Sequence, residues 1–377
     1  MRLQQLDSLR GIAALSVVCN HLAQTFLSLN NWHPDNIVER AQWFGIRSII
    51  ACGGNAVMIF FALSGLVLTL SFITTDNRRY APFAIKRVVR IYVPFACAIL
   101  FSVLLYLAVQ PTPIDALTRW FNEESWYEYP SFEIIAGHLL MTGERRYQEL
   151  DHVMWSLVHE MRIALIFPLI VIAAQHFPRL ALSGAIALGL GANYLAGQTS
   201  DAIIDSFLKT ASYLYLFVAG ALLYFHADQV QRFIGQLGAR RAAAWMLCFV
   251  AMFLMPSKSA WGGIVSGLGA FGFLAMCFAD PSVQPFLRTR IPLWLGRVSY
   301  SLYLLHLPII LAIVHLGYGH LPFPLLLAAS LIASFAAAEL SCRYIERPSA
   351  QFGKRAAKLI VDGRWRDWRP KTPRAAP

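Results

Sequence analysis

Charge is what this chain has least of. Only 14% of its 377 residues are Asp, Glu, Lys or Arg, where a soluble domain carries about a quarter. That shortage excludes a globule surrounded by water. There is no C-x-x-C pair among the six cysteines (Cys19, Cys52, Cys97, Cys248, Cys277, Cys342), which lie in or beside apolar runs. They read as small hydrophobes rather than as a disulfide frame or metal site. No internal repeat is evident, so the inverted-repeat signature of transporters is missing. The N-terminus lacks an n-region and a small-residue cleavage site, so no cleavable signal peptide is expected.

What is present is apolar length. Hydrophobic residues make up 57% of the chain, and long runs recur throughout. The fold expected is all-α and polytopic, with about ten transmembrane helices. The spans fall near 9–29, 55–74, 91–110, 153–175, 179–197, 206–226, 242–256, 261–279, 299–317 and 322–342.

The net charge of +11 invites a nucleic-acid reading, but its distribution argues against one. Ten basic residues lie between Arg343 and Arg374, and most others cluster between apolar runs. With the N-terminus inside, 24 of the 32 Lys and Arg fall in cytoplasmic segments. The positive-inside rule therefore favours an N-in, C-in topology. The chain divides into a membrane domain, 1–349, and a basic cytoplasmic tail, 350–377. The tail, with Trp365 and Trp368, reads as disordered or held by anionic lipid.

Two outer loops are long. Residues 30–54 include Trp32, Trp43 and a moderately apolar stretch suited to the interface. Residues 111–152 mix aromatics (Trp120, Trp126, Tyr127, Tyr129) with Glu123, Glu124 and Glu128. Aromatics with acids suit a carbohydrate-facing surface; an interfacial aromatic belt is the alternative.

The chemistry-bearing residues form five groups. Arg10 and His21 are eleven residues apart, which is 20° past three helical turns, so they share a face. They are about 16 Å apart along the axis, which puts His21 near mid-bilayer if Arg10 is at the surface. Asp7 shares the stripe. A neutral histidine in a dry pocket can take a proton from a hydroxyl; a structural histidine bonded to a neighbouring helix is the alternative. Arg87 and Arg90, three apart, suit a phosphate clamp, or plain positive-inside anchoring. Ser64 and Gly65 in Phe60–Gly65 permit close helix packing, or a slim groove wall for a thin chain. In Trp155-Ser156-Leu157-Val158-His159-Glu160, the Glu160 carboxylate needs a partner. Arg162 points 200° away, which leaves His21 or Arg10 across helices, or protonation. His152 and His159 lack further spaced ligands, so no metal site is expected. Ser299–His306, with Tyr303 and His306 three apart, can hydrogen-bond to other spans. Glu346-Arg347-Pro348 closes the last span and is expected to pair with the basic cytoplasmic loops.

These blocks occur in an order that resembles the acyltransferase-3 family of integral membrane O-acyltransferases. The matching stretches are Leu6–Gly11 leading to His21, Phe60–Gly65, Arg87-x-x-Arg90, Trp155-Ser156-Leu157-x-x-Glu160, Ser299–His306 and Glu346-Arg347-Pro348. The resemblance implies a ten-helix core taking acyl groups from cytoplasmic acyl-CoA, usually acetyl-CoA, to an extracytoplasmic or lipid-linked glycan. It implies donor binding by Arg10, Arg87 and Arg90, with Ser64 and Gly65 beside them, and a central catalytic role for His21. Glu160 and Asp7 are candidates to orient or neutralise its imidazolium. Trp155, Ser156, Tyr303 and His306 are left as acceptor-binding or structural. His159 departs from the small or apolar residue expected before Glu160. Some relatives carry an extra extracytoplasmic esterase-like domain; with 29 residues after Pro348, none is expected here.

The expected function is thus an O-acyltransferase of a bacterial inner membrane, most simply an acetyltransferase. Acyl-CoA is a co-substrate, no cofactor is permanently bound, and the partners are a carbohydrate or glycolipid acceptor and the bilayer. A succinyltransferase of the same fold is one alternative. A glycan or lipid exporter with a His21–Glu160 proton relay is another.

Overall fold

The computed structural model describes residues 4–27, 36–74, 79–144, 149–255 and 260–362. Among them the regular structure is helical throughout. Helices α1 (Gln4–Phe26), α2 (Ile37–Thr74) and α3 (Tyr80–Val109) come first. Two short helices follow, α4 (Arg119–Glu123) and α5 (Phe132–Leu139). Their first turns are capped by Thr118 and Ser131, whose hydroxyls accept from the Phe121 and Ile134 amides. Next are α6 (Trp155–His176), α7 (Pro178–Ala196), α8 (Ala202–Ser212) and α9 (Leu214–Phe225). The chain continues through α10 (Ala227–Gly235), α11 (Gly238–Phe253), α12 (Ala260–Ala279) and α13 (Gln284–Leu287). It ends in α14 (Arg290–Gly317), α15 (Phe323–Ser341) and α16 (Arg347–Val361).

Seven helical stretches among the described residues are long and apolar enough to cross a membrane: Ile37–Ile73, Tyr80–Val109, His152–His176, Ala202–Phe225, Trp261–Ala279, Arg290–Gly317 and Phe323–Val361. Over their described residues, nine of the ten spans expected from the sequence each overlap a single α-helix. Those near 9–29, 179–197 and 242–256 correspond to α1, α7 and α11, which are not among the seven.

The bundle is organised around α14, which packs against α1, α3 and α15. Small residues set the closest approaches. A side chain at Gly11 would collide with the Leu295–Gly296 backbone, and one at Gly296 with the Asp7 backbone, so α1 and α14 cross with their main chains in contact. Likewise Gly65 of α2 lies against the Phe217 backbone of α9, and Gly220 against the Ala62 carbonyl. Phe61, Phe95, Phe167 and Phe217 are buried in the core.

Three segments differ from the sequence reading. Residues 37–54, expected as an interfacial outer loop, are the first half of a continuous 38-residue helix α2. That stretch contains no proline to interrupt it, and Asn55 Nδ2 ties its middle to the Met255 carbonyl at 3.0 Å. The run near 206–226 breaks at Tyr213 into α8 and α9. The tail, expected to be disordered or held by anionic lipid, begins as the amphipathic helix α16, packed along α3 with Gly353 against Val89. A π-helical turn, Cys342–Glu346, joins α15 to α16. Such a turn relieves the clash that Pro348 would make with the preceding turn of an unbroken helix. Trp32, Trp365 and Trp368 lie outside the described residues.

Candidate active site

Two cavities meet at one side chain, Tyr303 of α14. The first is a partly open cavity of about 600 Å³, counting the space at its mouth. Its wall carries Arg10 from α1, Ser64 from α2, Arg87 and Arg90 from α3, Glu160 from α6 and Tyr300 from α14. Three guanidiniums face one carboxylate, so this basic cavity suits an anion.

Glu160 finds its partner in Arg87, in an ion pair between Nη2 and Oε1. Ser64 Oγ donates to the same carboxylate oxygen at 2.8 Å. Neither His21 nor Arg10, the partners anticipated from the sequence, makes that contact, because α3 brings Arg87 there first. Arg162 does point elsewhere: it donates to the Thr210 hydroxyl at 3.0 Å and the Thr142 carbonyl at 2.6 Å. The clamp expected of Arg87 and Arg90 is therefore redistributed. Arg90 makes no hydrogen bond or ion pair among the described residues, and the Arg10–Asp7 pair is long, at 3.9 Å. Arg87 keeps a buried Nε–H with no acceptor, a donor still to be satisfied. Gly65 is a packing residue in the α2–α9 crossing rather than a cavity wall. Glu346 accepts from Ser301 Oγ at 2.9 Å; the loop ion pairs expected of it do not form among the described residues.

The second cavity, about 490 Å³, is lined by Asn20, His21 and Gln24 of α1, Trp120 of α4, His152 and Trp155. His21 Nδ1 lies 2.9 Å from His306 Nε2, and His306 Nδ1–H donates to the Leu302 carbonyl at 2.9 Å. The Trp120 ring lies near-parallel to His21, centroids 5.1 Å apart. Neither Asp7 nor Glu160 orients His21. Asp7 is fourteen residues away on the same helix, about 21 Å along it, and Glu160 is held by Arg87. At the junction, the Tyr303 hydroxyl donates to the Val153 carbonyl at 2.9 Å and accepts from Ser156 Oγ at 2.8 Å. A third void, about 650 Å³, adjoins the histidine cavity and shares Gly54, Val57 and Trp155 with it.

The long aromatic and acidic loop divides between roles. Trp126 is buried, and its Nε1–H donates to Ser102 Oγ at 2.9 Å. Tyr127 and Tyr129 are exposed. Glu123 pairs with Arg119 at 2.6 Å, and Glu124 lies 3.6 Å from His152. Sequence reasoning missed Trp120 as a neighbour of His21, and it missed Asn20 and Gln24, which bond to each other at 2.6 Å. Their signal was available: three polar residues at i, i+1 and i+4 in an apolar run.

Compared with known proteins, residues 3–339 match the family model described as an acyltransferase domain. The chain is 24% identical over 387 residues to the O-acetyltransferase OatA of Staphylococcus aureus strain NCTC 8325 / PS 47, covering 94% of this chain and 58% of the relative. The OatA proteins of strains COL and MRSA252 match to the same extent. The chain thus spans 58% of the length of these curated relatives. No solved structure matches it.

Proposed function

The chain belongs to the acyltransferase-domain family whose model covers residues 3–339, and from that membership we propose a multi-pass membrane O-acetyltransferase. It moves an acetyl group from cytoplasmic acetyl-CoA to a hydroxyl of an envelope glycan or glycolipid. In this reading ten helices span a bacterial inner membrane with both termini inside, which puts the basic cavity on the cytoplasmic half and the histidine cavity on the outer half.

The observation that carries the reading is that Tyr303 lines both cavities. A donor in one and an acceptor in the other meet at a single side chain. The phosphates of CoA go to Arg10, Arg90 and the unsatisfied Arg87 Nε–H. The pantetheine arm follows Phe60 and Ser64 toward Tyr303. The acceptor hydroxyl gives its proton to His21 as its oxygen attacks the thioester carbonyl. The new C–O bond forms, the C–S bond breaks, and the proton passes to the departing CoA thiolate. Products are the O-acetyl ester and free CoA. Trp120 and Trp155 offer faces on which a sugar ring can stack.

The test uses purified wild type and His21→Ala in nanodiscs with radiolabelled acetyl-CoA. Thioester cleavage by wild type that disappears in the variant is the expected result. Full cleavage in the variant refutes the role of His21, and product mass separates acetyl from succinyl transfer.

A further inference from the structure

We infer that His306 is the positioning residue for His21: it fixes the tautomer that leaves His21 Nε2 free to accept a proton. The inference rests on the reading of His21 as the base and assigns the group that makes it one.

The Leu302 carbonyl fixes the proton positions in this pair. The Leu302 oxygen can only accept, so the 2.9 Å contact with His306 Nδ1 requires a proton on that nitrogen. A neutral imidazole carries one N–H, so His306 Nε2 has a bare lone pair. That lone pair lies 2.9 Å from His21 Nδ1, which must therefore supply the hydrogen. The His21 proton is thus on Nδ1, and Nε2 is the unprotonated nitrogen. Ring geometry agrees. The two planes differ by 8° with centroids 5.1 Å apart, the separation expected of rings lying edge to edge along one N–H···N line. The hydrogen bond is in-plane, where the lone pair of an sp² nitrogen points.

Among the described residues His306 is the one hydrogen-bond partner of the His21 ring. Nε2 has no partner, yet it is not among the polar atoms sealed inside the protein. It therefore keeps accessible surface, and His21 lines the second cavity. His306 is fully buried in α14, whose backbone touches α1 at Gly296 and Gly11, so the distance is set by a main-chain crossing. In a Ser-His-Asp triad a carboxylate does this job. Inside a membrane domain a permanent negative charge is costly. A neutral imidazole, itself pinned by a backbone carbonyl, provides the same acceptor without that charge. When His21 takes the hydroxyl proton, the cation can spread across the bond to His306.

The test is ¹⁵N-histidine NMR of the full chain in nanodiscs, with His21 signals identified by their loss in His21→Gln. Wild type should show His21 protonated at Nδ1 and bare at Nε2. His306→Leu should lose that preference, and kcat for acetyl-CoA turnover should fall about 100-fold, within the range known for lost orienting partners. KM for acetyl-CoA should stay within about twofold, because the donor cavity is untouched. His306→Gln, whose amide oxygen can accept from Nδ1–H, should keep the tautomer and recover most of kcat. A His21 Nε2–H in wild type overturns the inference. So does a His306→Leu protein with unchanged tautomer, or Leu and Gln variants equally impaired. If His21→Ala retains cleavage, the functional reading fails while the NMR result still decides the tautomer.

Discussion

Two buried groups outside the membrane-spanning helices sit side by side in the segment 111–152, which also supplies Trp120 and His152 to the histidine cavity. Asp151 is fully buried, and neither carboxylate oxygen has a hydrogen-bond partner. His138, whose ring faces the Asp151 backbone, has both ring nitrogens buried without partners. Burial pushes the Asp151 carboxyl well above its usual range and the His138 imidazole down to about 3. Both are therefore held neutral, and their effects on stability have opposite signs. Folded Asp151 keeps a proton that the unfolded chain releases above about pH 4, so raising the pH from there costs stability. The unfolded chain protonates His138 below about pH 6.5, while the folded chain does not until about 3, so acidification across that window also costs stability. Asp151→Asn is thus expected to raise the melting temperature at pH 8 and give no such gain at pH 4. An equal shift at both pH values would contradict this.

At the scale of elements, the α1–α14 crossing is the joint on which the site depends. Gly11 and Gly296 each lie against the other helix's backbone, so even one methyl group must push the helices apart. Gly296→Ala should cost about 1–3 kcal/mol through overpacking, and it should lengthen the His21–His306 bond. Thermal unfolding in detergent would register the loss; an unchanged melting temperature would show that α1 can shift freely. The same crossing explains what could and could not be read from sequence. The helices were legible because each buries a long apolar run, and Arg10 and His21 were legible because spacing alone puts them on one face. The His21–His306 bond was not, because it joins residues 285 positions apart and exists only once α1 and α14 pack. Glu160 clearly needed a partner, but choosing Arg87 over His21 or Arg10 required knowing which helix lies beside α6. The start of α16 was missed because a polar, amphipathic helix carries no long apolar signal, and the extension of α2 because its moderately apolar stretch also suits a segment lying along the interface.

At the scale of the whole molecule, two cavities of different chemistry share Tyr303, and a third void shares Gly54, Val57 and Trp155 with the histidine cavity. With donor and acceptor assigned to the two cavities as proposed above, a lesion on one side should leave the other intact. Gly54 offers that lesion. It sits in α2 on the wall shared by the histidine cavity and the third void, and a Cβ added there meets nothing within 4 Å. A larger residue should therefore be tolerated by the fold, and it gains up to about 1 kcal/mol in helix propensity over glycine. Gly54→Leu would fill space on the acceptor side without touching the arginines. Its melting temperature should equal or exceed that of wild type, and KM for acetyl-CoA should be unchanged. Radiolabel transfer from acetyl-CoA into endogenous glycan of membrane vesicles should fall about tenfold, the effect of roughly 1.4 kcal/mol lost on one substrate. Transfer that stays at the wild-type level, with Gly54→Trp equally active, would mean that the acceptor approaches His21 by another route. A parallel loss of donor binding would mean that the two cavities are not independent.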